Sequence, residues 1–212
     1  MSAGSQIILV LLILVLLFIM VLFGRRMLRA LRERRLLLSG RGGSGFLREL
    51  YLTAFGKQCR VLRDIYLYRG NGGGGSALCL VPMIVVCRGG VFTVEEKHMD
   101  GFIENPMRGD WRQFNGDRII QFQNPCERNA VHIAAIRRLL DARGVKYGSA
   151  KGIVVFTGRD YCFKNNFAQV LSAEGSLDYL GSEMHGRVIT AEQVDRICRV
   201  LKQQNRAIRT HG

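Results

Sequence analysis

Gly89-Gly90-Val91-Phe92-Thr93-Val94-Glu95-Glu96-Lys97 reads as a glycine turn feeding a short β-strand that ends in Glu-x-Lys. Side chains alternate faces along a strand, so Glu95 and Lys97 project to one side and Glu96 to the other. A carboxylate beside an ammonium on one strand face is an arrangement that can hold a divalent cation and polarise a phosphodiester. It is also the pattern of an ordinary surface ion pair, and so short a motif does not separate the two.

Working outward, residues 77–87 are almost wholly apolar, and Arg88-Gly89-Gly90 turns them into the Glu-x-Lys strand as an antiparallel hairpin. Residues 61–68 predict a strand before that pair. Between them lies Gly70-Asn71-Gly72-Gly73-Gly74-Gly75-Ser76, followed neither by Gly-Lys-Ser/Thr nor by a helix, so it reads as a hairpin connection and not a phosphate loop. Residues 46–55 place Leu47, Leu50, Tyr51 and Ala54 at helical spacing, with Glu49 among them. Downstream, Asn124-Pro125-Cys126-Glu127 supplies an N-cap, a proline at the first helical position and an acid three residues after the cap. That helix is expected to run to Arg143, with Ala130, Ile133, Ile136 and Leu140 inward, and Gly144 closes it. Residues 152–157 predict a buried strand and 187–189 a short one. Thr190-x-x-Gln193 then caps a last helix with Val194, Ile197, Cys198 and Leu201 on one face, placed to pack on the sheet or to meet a partner. The expected fold class is α/β: a mixed β-sheet flanked by helices.

Residues 7–23 are an unbroken apolar run of 17 residues. As a helix they span about 25 Å, at the short end of what a bilayer core needs. No basic residue precedes the run, and Gly24-Arg25-Arg26 follows it where a signal peptide would carry a small-residue cleavage site. The expectation is a single transmembrane helix that is not cleaved. Arg25, Arg26, Arg29, Arg32, Arg34 and Arg35 follow directly, which puts the N-terminus outside and the C-terminal body in the cytoplasm. The expected organisation is an anchor at 1–24, a basic juxtamembrane segment and Gly/Ser linker at 25–44, a globular domain at 45–160, and a C-terminal extension at 161–212.

The net charge is +14, and residues 1–48, with eight Arg and one Glu, hold half of it. Anionic lipid headgroups account for that half, at about 1 kcal/mol per basic residue near the surface. The rest lies on the body, where nucleic acid is the candidate partner beside the simple reading of a basic soluble surface. Six scattered cysteines with no C-x-x-C pair argue against a zinc or disulfide framework.

From 45 to 160 the chain resembles the nuclease-related domain (NERD) family, a branch of the PD-(D/E)xK nuclease fold, whose architecture is restriction-endonuclease-like. The matching pieces are the Gly90–Lys97 strand, Gly101-Phe102-Ile103, Trp111-Arg112-Gln113, Asn124-Pro125 with His132 downstream, and Ile153-Val154-Val155-Phe156. The resemblance implies a metal-dependent hydrolase of DNA or RNA, with Mg²⁺ as the expected cofactor. It assigns Glu49 and Glu95 to the metal and Glu95 and Lys97 to catalysis; beside that assignment, Lys97, its neighbour His98 and Arg128 are the candidate nucleic-acid contacts. Two positions depart from the pattern. Pro82 stands where the family places a metal-binding Asp, and Arg128 stands where it tends to carry Gln.

Among other acids, Glu96 is on the wrong strand face, Asp64 on the preceding strand is the nearest substitute, and Asp100 and Asp110 are expected in a solvated loop. Trp111 reads as a packing residue. Three readings follow: a membrane-tethered nuclease, a nuclease fold that binds nucleic acid without cutting it, and an interaction domain with neither role.

Overall fold

The computed structural model describes residues 45–70, 77–186 and 188–211, with nine isolated positions between 14 and 31. The expected anchor and most of the juxtamembrane segment therefore lie outside the described residues, as does the glycine run at 71–76. Among the described residues, no helix is long and apolar enough to cross a membrane.

The elements are α1 (Phe46–Phe55), β1 (Cys59–Tyr68), β2 (Leu78–Cys87), β3 (Gly90–Lys97), β4 (Gly101–Glu104), β5 (Trp111–Asn115), β6 (Arg118–Phe122), α2 (Pro125–Ala142), β7 (Ala150–Phe156), β8 (Tyr161–Phe163), β9 (Val170–Ser172), α3 (Ala173–His185) and α4 (Ala191–His211). The main sheet has the order β1-β2-β3-β7-β9. β1, β2 and β3 form an antiparallel meander, while β7 lies parallel to β3 and β9 parallel to β7. This is the mixed sheet flanked by helices that the hydrophobic pattern predicts.

Both faces of the sheet are covered. Val91 of β3 packs with Ile136 and Leu140 of α2 and Ile197 and Leu201 of α4. Phe92 and Val94 pack on the other side with Leu47, Leu50 and Tyr51 of α1 and Leu177 and Leu180 of α3. Burial on both sides explains why Ile153, Val154, Val155 and Phe156 of β7 form a continuous apolar run with no alternation.

Asp100 and Asp110 lie outside any strand, as expected of loop residues, but strands form around them between 98 and 123. Three strands there join β8 in a second sheet of order β6-β5-β4-β8. Asp100 is a turn residue whose Oδ1 accepts from the Arg159 and Asp160 amides at 2.6 and 3.2 Å. Asp110 Oδ2 accepts from Gln121 at 2.9 Å. Trp111 is fully buried against Phe122, Phe156 and Phe167, so the packing reading holds. Of the strand expected at 187–189, the first residue lies outside the described residues and the other two are not in a strand. Val188 and Ile189 belong to the connection into α4, and the Ile189 amide donates to the Arg88 carbonyl at 3.0 Å. On α2 the inward residues are Ala135, Ile136 and Leu140, and Ala130 is exposed.

β1 is the outer strand of the main sheet, and α4 covers its edge. Asn205 Oδ1 accepts from the Tyr66 amide at 2.9 Å and Arg209 donates to the Asp64 carbonyl at 3.1 Å, so side chains partner edge groups that another strand would otherwise contact. Val194, Ile197, Cys198, Val200 and Leu201 meanwhile enter the core shared with β1 and β2. The final helix is thus part of the core. Leu201→Ala is expected to lower stability by about 2–5 kcal/mol, measured as a lower urea midpoint at unchanged slope. A midpoint equal to that of the parent chain would exclude this role for α4.

Candidate functional site

The candidate site begins where two strands part. β2 and β3 are paired only from Ile84↔Thr93 to Cys87↔Gly90. Two residues earlier on β2 is Pro82, which has no amide hydrogen to donate to a neighbour. The β1–β2 register steps from Arg63↔Met83 to Ile65↔Val81, leaving Asp64 and Pro82 out of the pairing. Asp64 takes up that irregularity with φ 52, a left-handed conformation that Asp tolerates better than most residues. The gap between β2 and β3 is a cavity of about 320 Å³, lined by Arg63, Pro82, Met83, Val94, Glu95, Glu96, His98 and Arg128.

Glu95 is 3% exposed. Its Oε1 lies 3.2 Å from Arg128 Nη2 and 3.6 Å from Lys97 Nζ, while its Oε2 is buried without a hydrogen-bond partner. Burial pushes the Glu95 carboxyl above its ordinary value, and Arg128 and Lys97 draw it back only in part. Lys97 is itself steadied by the Phe122 ring, 5.2 Å from Nζ to the centroid.

Arg128 reaches Glu95 because of how α2 starts and where it lies. Asn124 Oδ1 caps the helix, accepting from Cys126 N at 2.9 Å and Glu127 N at 3.4 Å. Asn129 Nδ2 donates to the Ile153 carbonyl at 2.8 Å, fastening the first turn of α2 to β7. The close approach needs Gly152, since a Cβ there would meet Asn129 Cβ at 2.9 Å.

Glu96 projects to the other face, as expected. It nevertheless borders the same cavity, because the gap opens between strands and both faces reach it. Thr157 donates to Glu96 Oε1 at 3.4 Å, and burial raises the Glu96 carboxyl against the pull of Thr157, Arg63 and His98. His98 lines the cavity with Nδ1 3.1 Å from the Thr157 carbonyl and 3.3 Å from its hydroxyl.

Of the site residues expected from sequence, Glu95, His98 and Arg128 line the cavity, and Lys97 joins them through Glu95 without lining it. Glu49 does not join the cavity lining. It is exposed on α1, which packs on the Phe92 and Val94 face of β3, opposite the face Glu95 occupies. Asp64, the substitute carboxylate, is exposed and also outside the lining. Sequence reasoning missed Arg63, whose signal was a charged Arg-Asp pair interrupting the apolar strand at 61–68. It also gave no role to His132. That residue is 3% exposed, one turn after Arg128, with Nδ1 lacking a partner.

A divalent cation needs converging oxygen ligands. Among the described residues, no group of three or more His, Cys, Asp or Glu side chains is placed to hold a metal ion. At Glu95 the bound oxygen is already shared by two cationic side chains, and β2 offers Pro82 in place of a carboxylate. This donor set does not fit Mg²⁺. It does fit an anion, through the guanidinium forks of Arg63 and Arg128 and the ammonium of Lys97.

A family model described as nuclease-related domain matches residues 44–157, a little over half of the chain. No curated protein matches the chain, and neither does any solved structure.

Burial, then Arg128 and Arg69, lower the His132 pKa from 6.5 to about 4. The sign follows directly: a group held neutral in the fold and protonated more readily when unfolded adds stability above pH 6.5. That stability is lost as pH falls toward 4. The loss is on the order of 3–4 kcal/mol, at about 1.4 kcal/mol per unit. Glu95 and Glu96, with raised carboxyls, act in the opposite direction in acid. In urea titrations across pH 4 to 7, His132→Leu is expected to lose much of the acid-side decline that the parent chain shows. Parallel curves for the two would rule out the buried neutral imidazole.

Proposed function

This chain belongs to the nuclease-related domain family, and from that premise we propose that it is a nuclease-fold module that binds nucleic-acid phosphates without hydrolysing them by metal catalysis. The observation that carries the reading is the Arg128 guanidinium 3.2 Å from Glu95, with Pro82 lining the same cavity from β2. In the pattern the family resemblance implies, Glu95 and a strand-borne Asp share a cation. Here the positive charge beside Glu95 is built into the chain.

A cation approaching Glu95 meets two like charges, Arg128 and Lys97, both within 4 Å of the same oxygen. Without the metal, water activation and neutralisation of transition-state charge are lost, effects worth several kcal/mol. That amounts to roughly 10³-fold in rate or more. Phosphate binding does not depend on those terms. Arg63, Lys97 and Arg128 supply charge-assisted donors, and His98 adds a ring nitrogen at the rim.

The apolar run at 7–23 adds location to the proposal: a single-pass tether with the body on the cytoplasmic side. The arginines between 25 and 35 would then rest on anionic headgroups.

The test is direct. The chain is expected to bind labelled DNA or RNA with an affinity that falls steeply with salt, and to give no cleavage products with Mg²⁺ or Mn²⁺. Combining Pro82→Asp with Arg128→Gln is expected to create measurable Mn²⁺ binding by calorimetry where the parent chain shows none. Cleavage by the parent chain that Lys97→Ala abolishes would overturn the reading.

A further inference from the structure

α4 lies beyond the matched segment at 44–157, and its surface is chemically uneven. Residues 196–212 carry Arg196, Arg199, Lys202, Arg206 and Arg209 and no acid. All five cations are exposed, while Ile197, Cys198, Val200, Leu201 and Ile208 bury the opposite side. The two acids of the helix, Glu192 and Asp195, sit at its start, and Asp195 is paired with Arg60 at 3.2 Å. Among the described residues, Arg196, Arg199, Lys202 and Arg206 enter no salt bridge. The face is held rigid by the core beneath it, and its charge is not neutralised internally.

Its far end reaches β1 beside the candidate site. Arg209 donates to the Asp64 carbonyl at 3.1 Å and lies over the Tyr66 ring at 5.4 Å. The residue before Asp64 is Arg63, which lines the cavity. From Arg196 to Arg209 the helix runs about 20 Å, the axial length of about six phosphates along one strand of a duplex.

We infer that the outward face of α4 is a track for a nucleic-acid backbone, leading along Arg196, Arg199, Lys202 and Arg206 to Arg209 and into the Arg63 side of the cavity. The inference rests on the nucleic-acid reading above and adds a second contact surface, outside the matched family segment, that gives the cavity its reach. A polyanion matches the face because the cations recur at every turn with no intervening acid after Asp195. Continuity with the cavity favours a polymer that occupies both places at once over a lipid surface.

The experiment uses the full chain in uncharged detergent micelles and fluorescein-labelled 20-base-pair DNA and its single strand. Anisotropy is followed from 50 to 200 mM salt. The variant is Arg199→Glu with Lys202→Glu and Arg206→Glu, all exposed positions, checked for folding by circular dichroism. Its binding is expected to weaken by about tenfold or more at low salt. The slope of log affinity against log salt is expected to shrink by about 3, close to 0.9 per lost phosphate contact. A folded variant that binds with the parent affinity and slope, while Arg63→Ala weakens binding, overturns the track alone. The same holds if the triple variant loses only its binding to phosphatidylserine vesicles. If the parent chain binds neither nucleic acid at 50 mM salt, the track and the reading it rests on fail together.

Discussion

The site depends on where β2 leaves β3: their pairing ends at Ile84 and Thr93, and Pro82, which has no amide hydrogen to donate, stands two residues further along β2. β2 and β3 hold together over four residue pairs and then separate, so the last turn of the pleat before Lys97 borders a cavity in place of a neighbour. The same gap lets Glu96 border the cavity from the other face. It leaves the end of β3 secured on one side only, by the parallel ladder to β7 that continues through Glu95, Glu96 and Lys97. β7 is buried on both faces and immobile, which makes the Glu-x-Lys segment a fixed edge that β2 does not support.

A carboxylate at that edge must then be stabilised by other means. An unpaired buried carboxylate is costly, and removing one partner of a buried pair costs about 3–5 kcal/mol. Arg128 meets this need from α2, and the hydrogen bond from Asn129 to the Ile153 carbonyl ties α2 to β7 beside Glu95. The ion pair is therefore a consequence of two independent placements, a helix on β7 and a gap beside β3. Neither placement requires a metal. Glu95 in this position orients Arg128 and Lys97.

Much of this was legible in the sequence because the elements concerned are local. The Asn124 cap, Pro125 and Gly144 bounded α2 to within a residue, and Thr190 and Gln193 exchange the reciprocal bonds of a capping box. The three strands of the meander and the shared face of Glu95 and Lys97 were read from spacing, and the roles of the site residues from the family resemblance. The second sheet was not, because its strands are three to five residues long and β4 pairs with β8, 60 residues downstream. Strands that short carry too little alternation to register against loop residues. Arg63 and His132 were missed for a different reason. Each gains its meaning from what the fold brings next to it.

The same separation of local from long-range signals governs α4. Its amphipathic pattern is strong, yet the pattern alone does not choose between a core and a partner for the apolar face. The choice is made by β1, an outer strand whose irregular backbone at Asp64 leaves a carbonyl facing Arg209 and whose Tyr66 amide meets Asn205. Once the helix covers that edge, its orientation is set: apolar residues enter the core, and Arg196, Arg199, Lys202 and Arg206 face solvent. The positive surface is thus produced by an edge strand that needed covering, and it ends beside Asp64 because the backbone irregularity lies there. Pro82 sits across from that irregularity and lines the cavity, so the basic helix ends on β1 opposite a residue of the site.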